Sequence, residues 1–346
     1  MLPPLTEALL AGRDLSTSEA EAAALALASP DVAEAAKVDF LSALGRKGET
    51  PVEIATFATI YRRMARDPEV GEWAPRALDI VGTGGDHAGG FNVSTLVTLV
   101  LATAGVPVMK HGNAGITSKC GSADLMAALG VDLQADAAKT RAAIRELGFC
   151  FFFAPAYHPT FRHIAPARKA LAARGERSIF NILGPLLNPG RPANVMLGVF
   201  SPALVAKFAA TLDLLGCPSG IVAHGVIADG RGIDEWTTAT DNLVAGVGRL
   251  KGRTDNWTPA EFGLARGEFA GLVGGDVATN LAITEALLQG RAPAVLMDTI
   301  LAVSAMGLWV AGAQPDLRSG VPLARELLLG GAVAKKIAAT REFYRS

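Results

Sequence analysis

The feature that most constrains the fold is a strand–helix–strand pattern that begins at residue 78. A short apolar run at residues 78–81 ends in a cluster of glycines, an uncharged apolar stretch follows at 94–104, and a second short apolar run occupies 106–109. Two strands separated by one helix within about thirty residues form a βαβ unit, whose strands are parallel. The pattern therefore predicts an α/β fold with a mainly parallel sheet.

The chain divides into a helical part and an α/β part. Residues 1–75 contain only helical apolar stripes, which are interrupted at Gly12, Pro30 and Gly48. From residue 76 onward, strand-like runs alternate with helical stretches, as is typical of an α/β domain. Further strands are expected at residues 149–153, 195–200 and 220–223, and helices at 138–147, 202–215, 280–288 and 299–311. We expect a small helical domain over 1–75 and a larger α/β domain over 76–346, with a stretch near 160–190 that packs on the helical domain.

Composition argues against several classes of protein. The 346 residues include 32 Lys and Arg against 33 Asp and Glu, a net charge of −1, and half of them are hydrophobic. A disordered chain would be more polar, and a nucleic-acid-binding surface usually carries a basic surplus. The longest run without charged side chains, residues 87–109, is too short and too polar to span a membrane.

The cysteines and the first residues bear on the cellular compartment. Cys120, Cys150 and Cys217 are scattered and odd in number, which favours thiols in a reducing compartment over a disulfide framework or a zinc site. The first residues lack the basic flank and apolar centre of a signal peptide. We therefore expect a soluble, cytoplasmic protein without a membrane or nucleic-acid partner.

The glycine cluster after the first strand has the features of a phosphate-binding loop. Residues 81–95 read VGTGGDHAGGFNVST and join the carboxyl end of a strand to the start of a helix. Ligands of parallel sheets bind at that edge, and a helix start offers unpaired amides to anions. Asn92, Ser94 and Thr95 add polar groups there. The segment matches neither GxxxxGKS/T nor GxGxxG, so an ordinary glycine-rich turn is the alternative.

A second polar segment follows the next strand. Residues 110–124 read KHGNAGITSKCGSAD and again end at a predicted helix start. Lys110 is a suitable point charge for a phosphate, and the small hydroxyl residues suit its oxygens. Ser122 or Asp124 could instead be a simple helix cap. For His111, a structural and a functional role remain equally open.

These motifs, taken in order, resemble the anthranilate phosphoribosyltransferase family. The resemblance rests on GTGGD at 82–86, FNVST at 91–95, KHGN at 110–113 and SKCGSAD at 118–124. It extends over nearly the whole chain, through KGET at 47–50, AP at 154–155, HP at 158–159, Arg168, IFNILGPL at 179–186, GIDE at 232–235 and GGD at 274–276 with Asn280.

The resemblance implies a fold and a reaction. The family has a small helical domain beside a larger α/β domain of the nucleoside phosphorylase/phosphoribosyltransferase type, with the site at the hinge and a homodimer formed through the helical domain. Its enzymes transfer the phosphoribosyl group from phosphoribosyl pyrophosphate to the amine of anthranilate and release pyrophosphate. This is the second step of tryptophan biosynthesis from chorismate.

The resemblance also implies a set of site residues. Donor-binding positions map onto Gly82, Gly85, Asp86, Asn92, Ser94, Thr95, Lys110, His111, Gly112, Asn113, Ser118 and Ser122. Anthranilate-binding positions map onto Gly82, Asn113, His158, Arg168, Gly184 and Pro185, and Mg²⁺ positions onto Ser94, Asp234 and Glu235. No residue is assigned as a general acid or base, and Lys110 and the metal supply electrostatic stabilisation. Adjacent carboxylates are hard oxygen ligands suited to Mg²⁺, although a solvated acidic turn is the alternative for Asp234 and Glu235.

The sequence departs from the family pattern at a few positions. Ala114 stands where Arg is usual, Gly90 where Thr is usual, and Val303 where Asn is common, and the stretch from 168 to 179 is a few residues longer. The alternatives are a pyrimidine nucleoside phosphorylase, which is expected to have Ser in place of Gly112, and a non-catalytic paralogue that binds nucleic acid. The charge of −1 disfavours the second.

Overall fold

The computed structural model describes residues 1–115 and 119–346. In this part of the chain the helices are α1 (Leu2–Leu10), α2 (Thr17–Ala28), α3 (Glu34–Lys47), α4 (Pro51–Met64), α5 (Val93–Thr103), α6 (Ser122–Ala128), α7 (Ala137–Leu147), α8 (Ala154–Tyr157), α9 (Ala165–Ala173), α10 (Ala203–Leu214), α11 (Val277–Leu288), α12 (Ala294–Val310), α13 (Leu317–Leu329) and α14 (Ala332–Arg345). The strands are β1 (Leu78–Gly82), β2 (Val108–Gly112), β3 (Phe149–Phe153), β4 (Asn194–Gly198), β5 (Ser219–Val226), β6 (Gly232–Ile233), β7 (Asp241–Gly248) and β8 (Asp255–Trp257).

The strands form one mixed sheet whose centre is parallel. Its order is β3-β2-β1-β4-β5-β7-β8, with β6 paired to β5. The strands from β3 to β5 are parallel, whereas β6, β7 and β8 are antiparallel to their neighbours. The predicted mainly parallel sheet is therefore confirmed, and the antiparallel edge is an addition to it. The strand order reverses at β1, with β2 and β3 on one side of it and β4 and β5 on the other. The carboxyl ends of β1 and β4 therefore flank the point where ligands bind in such sheets.

The first four helices are fixed by an ion pair that is closed to solvent. Glu53 on α4 has no exposed surface, and its carboxylate lies 2.8 Å from the ammonium of Lys47. The same carboxylate accepts hydrogen bonds from the backbone N–H groups of Leu15 and Thr50. Since a buried carboxylate needs such partners, these contacts hold the ends of α3 and α4 and the α1–α2 connection together.

Two apolar clusters cover the two faces of the sheet. Side chains alternate between them along each strand, so that Met196 belongs to one cluster while Val195 and Leu197 belong to the other. The first cluster contains α5, α7 and α12–α14, and the second contains α1–α4, α9 and α10. Ile164, Leu171, Ile179 and Phe180 also lie in the second cluster, beside the side chains of α3 and α4.

Helix α12 runs through the interior of the molecule. Its residues from Leu296 to Val310 are almost all buried, and it packs against α5 and α13. Its apolar character therefore reflects packing against other parts of the protein. Across residues 1–115 and 119–346, no helix combines the length and the apolar character needed to cross a membrane.

Candidate active site

A cleft of about 610 Å³ opens at the carboxyl ends of β1 and β2. It is lined by the loop after β1, by the start of the segment after β2, by the connection around residues 154–187 and by the acidic pair after β6. Of the predicted site residues, the structure brings these to the cleft: Gly82, Gly85, Asp86, Asn92, Ser94, Lys110, His111, Gly112, Asn113, Ser122, His158, Arg168, Gly184, Pro185, Asp234 and Glu235. Thr95 is buried in the first turn of α5, and Ser118 lies outside the described residues.

The loop after β1 wraps around the carboxylate of Asp234. The N–H of Gly84 donates to Asp234 Oδ2 at 2.6 Å, and the N–H of Asp234 donates to Asp86 Oδ2 at 3.3 Å. Gly84 and Gly85 have φ values of +67° and +74°, which favour glycine. A Cβ at Gly82 would collide with the Asp234 carboxylate. The glycines therefore allow an acidic side chain 150 residues away in sequence to lie directly against the loop.

The two side chains of the acidic pair are partly buried at the cleft. Burial raises the pKa of Glu235 to about 7. Burial and the nearby Asp86 carboxylate raise the pKa of Asp234 well above its usual range. A cation would stabilise the ionised form of both groups, and Mg²⁺ is usually held by one or two carboxylates together with substrate phosphates. The pair and the adjacent Ser94 hydroxyl therefore fit a magnesium site, although no cluster of three or more His, Cys, Asp or Glu side chains suited to a metal is found in the described part of the chain.

Lys110 lies beneath the first turn of α5. Its side chain is 1% exposed, and its ammonium donates to Ile80 O at 2.7 Å and to Ser94 Oγ at 3.1 Å. Burial lowers the pKa of Lys110, whereas the carboxylates of Asp79 and Glu235 raise it. When charged, the ammonium adds a fixed positive potential at the start of α5.

The segment after β2 is held by Asp124. Its Oδ2 accepts hydrogen bonds from the N–H groups of Gly115 and Gly121, both at 2.8 Å. Asp124 therefore closes the loop and bonds the N-cap residue of α6, which is Gly121 and not Ser122 or Asp124 as the simpler interpretation predicted. Ser122 is the first residue of α6. Its Oγ lies so close to Gly112 that a Cβ at residue 112 would collide with it.

Asn92 is held between the segment after β2 and helix α11 by its amide group. Its Nδ2 donates to Cys120 O at 3.1 Å, and its Oδ1 accepts from Asn280 Nδ2 at 2.8 Å. Gly90 forms an isolated β-bridge with Val273 beside this point. Asn92 and Gly90 thus fix the end of the β1 loop against the segment that precedes α11.

Two buried imidazoles and a guanidinium form the other end of the cleft. The rings of His111 and His158 lie 5.2 Å apart, and the Nε2 atom of each is buried without a hydrogen-bond partner in the described residues. Burial lowers the pKa of His111 to about 3 and that of His158 to about 4, so both rings are neutral at pH 7. The Arg168 guanidinium lies 5.7 Å from the centroid of the Phe180 ring, and burial lowers its pKa. This end of the cleft therefore combines one cation with two neutral imidazoles.

Several residues at or beneath the site were not identified from sequence. Asp79 and Asn188 are buried below the cleft and hydrogen-bonded to each other at 2.8 Å. Arg177 and Phe200 line the cleft, with the Arg177 guanidinium 4.5 Å from the Phe200 ring centroid. An acidic residue inside an apolar strand was the only local signal for Asp79, and the others had none.

The sequence comparisons agree with the motifs. Residues 74–334 match a glycosyl transferase family, a/b domain, and residues 3–65 match a glycosyl transferase family, helical bundle domain. The chain is 42% identical to the anthranilate phosphoribosyltransferase of Thermus thermophilus over 320 residues, which cover 92% of this chain and 93% of that protein. It is 41% identical to the Deinococcus radiodurans enzyme of the same name over 332 residues, which cover 95% and 94% of the two chains.

Solved structures give the same result. The crystal structure of anthranilate phosphoribosyltransferase from Thermus thermophilus superposes with a TM-score of 0.89 at 40% identity, covering 99% of both chains. The Saccharomyces cerevisiae enzyme in complex with PRPP and Mg superposes with a TM-score of 0.83 at 25% identity, covering 99% of this chain and 98% of that one.

The low pKa of His158 predicts an acid-sensitive fold. An exposed imidazole has a pKa of about 6.5, so between that value and about 4 the unfolded chain binds a proton that the folded chain does not. Stability should therefore fall as the pH is lowered from 7 to 5, and His158 should contribute about 2 kcal/mol of that fall. Urea unfolding of the wild type and of His158→Gln at both pH values measures it. An equal pH dependence in the two proteins would contradict the prediction.

Proposed function

The chain belongs to the anthranilate phosphoribosyltransferase family, and from this premise we propose how the residues of its cleft carry out the family's reaction. The enzyme transfers the phosphoribosyl group from phosphoribosyl pyrophosphate to the amine of anthranilate and releases pyrophosphate, the second step of tryptophan biosynthesis from chorismate. One observation carries the residue assignments. An amide-rich loop, a buried lysine and a partly buried carboxylate pair meet at one edge of the sheet and face an arginine in the same cleft.

The donor binds at the carboxyl ends of β1 and β2 in this proposal. Backbone amides of the β1 loop, which leads into the start of α5, contact its phosphate oxygens, since amides of a glycine-rich loop at a helix start are suited to bind anions. Lys110 adds positive charge from below. The proposed donor-binding residues are Gly82, Gly85, Asp86, Asn92, Ser94, Thr95, Lys110, His111, Gly112, Asn113, Ser118 and Ser122. Asn92 also keeps its structural hydrogen bonds, and Ser118 stays a prediction from sequence.

The acidic pair holds the divalent cation. Mg²⁺ accompanies PRPP in the yeast relative, and Ser94, Asp234 and Glu235 would hold it here. When bound, it neutralises charge on the pyrophosphate and stabilises its departure. Asp234 is fixed for this role by the Gly84 amide, and Glu235 lies near the Lys110 ammonium, which favours its ionised form.

The acceptor is oriented by the other end of the cleft. Arg168 binds the carboxylate of anthranilate, because a guanidinium matches a carboxylate in shape and charge. His158, whose imidazole is neutral, lines the same end of the cleft and contacts the acceptor in this proposal. Asn113, Gly184 and Pro185 complete the acceptor site. An arylamine attacks through a neutral lone pair, so the chain's own task is orientation.

The charge changes of the reaction match this arrangement. As the bond from C1 to pyrophosphate breaks, positive charge develops on the ribose and negative charge on the leaving group. The amine attacks C1 from the opposite face, which inverts that centre. Fixed amides and Lys110 lie where the negative charge increases, and this is the electrostatic contribution that lowers the barrier.

The direct test of the function is a two-substrate assay. Purified protein with Mg²⁺ should release pyrophosphate only when phosphoribosyl pyrophosphate and anthranilate are both present. The fluorescence of anthranilate should decrease under the same condition. Omission of either substrate should abolish both signals. No change with both substrates present would refute the assignment to anthranilate.

The helical part of the chain offers a surface for a homodimer. Leu10, Leu25 and Val52, on α1, α2 and α4, are 65%, 46% and 42% exposed. We expect Leu25→Glu to shift the protein from the mass of two chains to that of one in light scattering coupled to gel filtration. Leu214→Glu alters a side chain that is 56% exposed on α10 and should leave the mass unchanged. A wild type with the mass of one chain would refute the dimer.

The cysteines support a cytoplasmic location. Cys150 and Cys217 are buried, and neither forms a disulfide within the described residues. Reduced, buried thiols are usual in a reducing compartment. We therefore place the enzyme in the cytoplasm, where fractionation of the native host would find it.

Removal of the acidic pair should impair turnover without unfolding the protein. Asp234→Asn with Glu235→Gln should lower kcat/KM by about 100-fold or more, since a cation contributes several kcal/mol to the transition state. The Mg²⁺ concentration needed for half-maximal rate should also rise. Asp229→Asn, which alters an exposed carboxylate before β6, serves as the control and should behave as the wild type. Equal activity of all three proteins at limiting Mg²⁺ would contradict the metal role.

Removal of the Arg168 guanidinium should weaken the acceptor site selectively. Arg168→Ala should raise the KM for anthranilate by about 10- to 100-fold, because a hydrogen bond to a charged group is lost. The KM for the donor should change little. Lys169→Ala alters the exposed neighbouring residue and should leave both KM values unchanged. A rise in the donor KM alone would assign Arg168 to the other substrate.

A further inference from the structure

The cleft contains a second guanidinium that the proposed reaction leaves unused. Arg177 lines the cleft, as does Arg168, and each guanidinium lies near a different aromatic ring, Phe200 and Phe180 respectively. No carboxylate within residues 1–115 and 119–346 lies within ion-pair distance of Arg177. An exposed cation that faces a cleft without such a partner is available to an anionic ligand.

The backbone of Arg177 is fixed against α3. The preceding Glu176 accepts a hydrogen bond from the Ser42 hydroxyl and pairs with Arg46 at 3.5 Å. The carbonyl oxygen of Arg177 lies so close to Gly45 that a Cβ there would approach it to 2.9 Å. On the other side, Ser178 N–H donates to Asn181 Oδ1 at 2.8 Å. The residue therefore enters the cleft from a constrained position.

The guanidinium of Arg177 is held next to the glycine loop. It lies 4.5 Å from the centroid of the Phe200 ring, a cation–π contact, and a guanidinium in such a contact can still donate hydrogen bonds from its N–H edge. The N–H of Phe200 donates to Thr83 Oγ1 at 3.1 Å, and the N–H of Thr83 donates to Gly198 O at 3.0 Å. Phe200 therefore connects the Arg177 guanidinium to the loop that carries Gly82, Gly84 and Gly85.

We propose that Arg177 is a further donor-binding residue, which binds the pyrophosphate group of the donor beside the glycine loop. This inference rests on the proposed function, which identifies the donor. The pyrophosphate carries several anionic oxygens, and the amides of one loop leave some of them uncovered. A planar guanidinium beside that loop is suited to bind two such oxygens at once.

We assign Arg177 to the donor and not to the acceptor because of where the two arginines lie in the cleft. Arg168 and His158 flank Phe161 and Phe180, at the aromatic end of the cleft. Arg177 contacts Phe200, whose backbone is bonded to the glycine loop. An anion beside the glycine loop is within the part of the cleft that the donor occupies in the proposed function.

The test compares Arg177→Ala, Arg177→Lys and Arg174→Ala in steady-state assays with each substrate varied. Because Arg177 is exposed, we expect a rise of about five- to tenfold in the KM for phosphoribosyl pyrophosphate in Arg177→Ala. The anthranilate KM and the melting temperature should stay near the wild-type values. Arg177→Lys should recover part of the loss, and Arg174→Ala, at an exposed position outside the cleft, should match the wild type.

A binding measurement separates this role from a structural one. Calorimetric titration of inorganic pyrophosphate with Mg²⁺, without acceptor, should show a weaker Kd for Arg177→Ala by a similar factor. Unchanged donor KM and pyrophosphate Kd would overturn the inference, as would a rise confined to the anthranilate KM. If the wild type turns over phosphoribosyl pyrophosphate and Arg177→Ala has the same donor KM, the role of Arg177 is refuted while the proposed function stands. A wild type that neither binds nor turns over this donor refutes the proposed function.

Discussion

The buried carboxylate of Asp79 joins the three segments on which the cleft is built. It lies in β1, accepts a hydrogen bond from Asn188 Nδ2 at 2.8 Å and lies 3.4 Å from the N–H of His111 in β2. Asn188 also donates to Met109 O at 2.7 Å. Burial raises the pKa of Asp79 to about 6, against the lowering effect of Asn188, Lys110 and Arg62. The positions of the second strand and of the segment around 184–190 therefore depend on one carboxylate that never reaches the cleft.

Much of the site was predictable because its residues are adjacent in sequence to the elements that position them. The glycine loop follows β1 and Lys110 lies in the neighbouring parallel strand β2, so the topology of a parallel sheet brings them together, whereas Asp234, which follows the antiparallel β6, was identified only through the resemblance to the family. Asp79 and Arg177 were missed because their partners are distant: Asn188 is 109 residues from Asp79, and Phe200 is separated from Arg177 by β4. The antiparallel β7 was missed because its sequence, DNLVAGVG, is poor in β-branched residues and acquires its structure from pairing with β5.

The departures from the family pattern have different structural meanings. The backbone of Gly90 forms the bridge to Val273, a contact that does not need the hydroxyl of the threonine that is usual at this position. Val303 is buried in α12 and lines a small cavity beside Ser94 and Glu235, a position where it can only contribute packing. Ala114 follows Asn113, whose Oδ1 accepts the Ala114 N–H, and brings no charge to the loop. Nothing in the structure explains why the usual arginine is absent there.

The apolar cluster on one face of the sheet has a consequence for how the molecule can move. It combines side chains of α1–α4, such as Phe40 and Phe57, with Leu197 and Val222 of the central strands, so the helices and the sheet share one continuous interior. Extensive apolar contact of this kind resists relative motion of the parts that it joins. Wide opening of the two parts would have to separate that interior and expose it to water. The exchange of substrate and product should therefore depend on local rearrangement of the loops around the cleft.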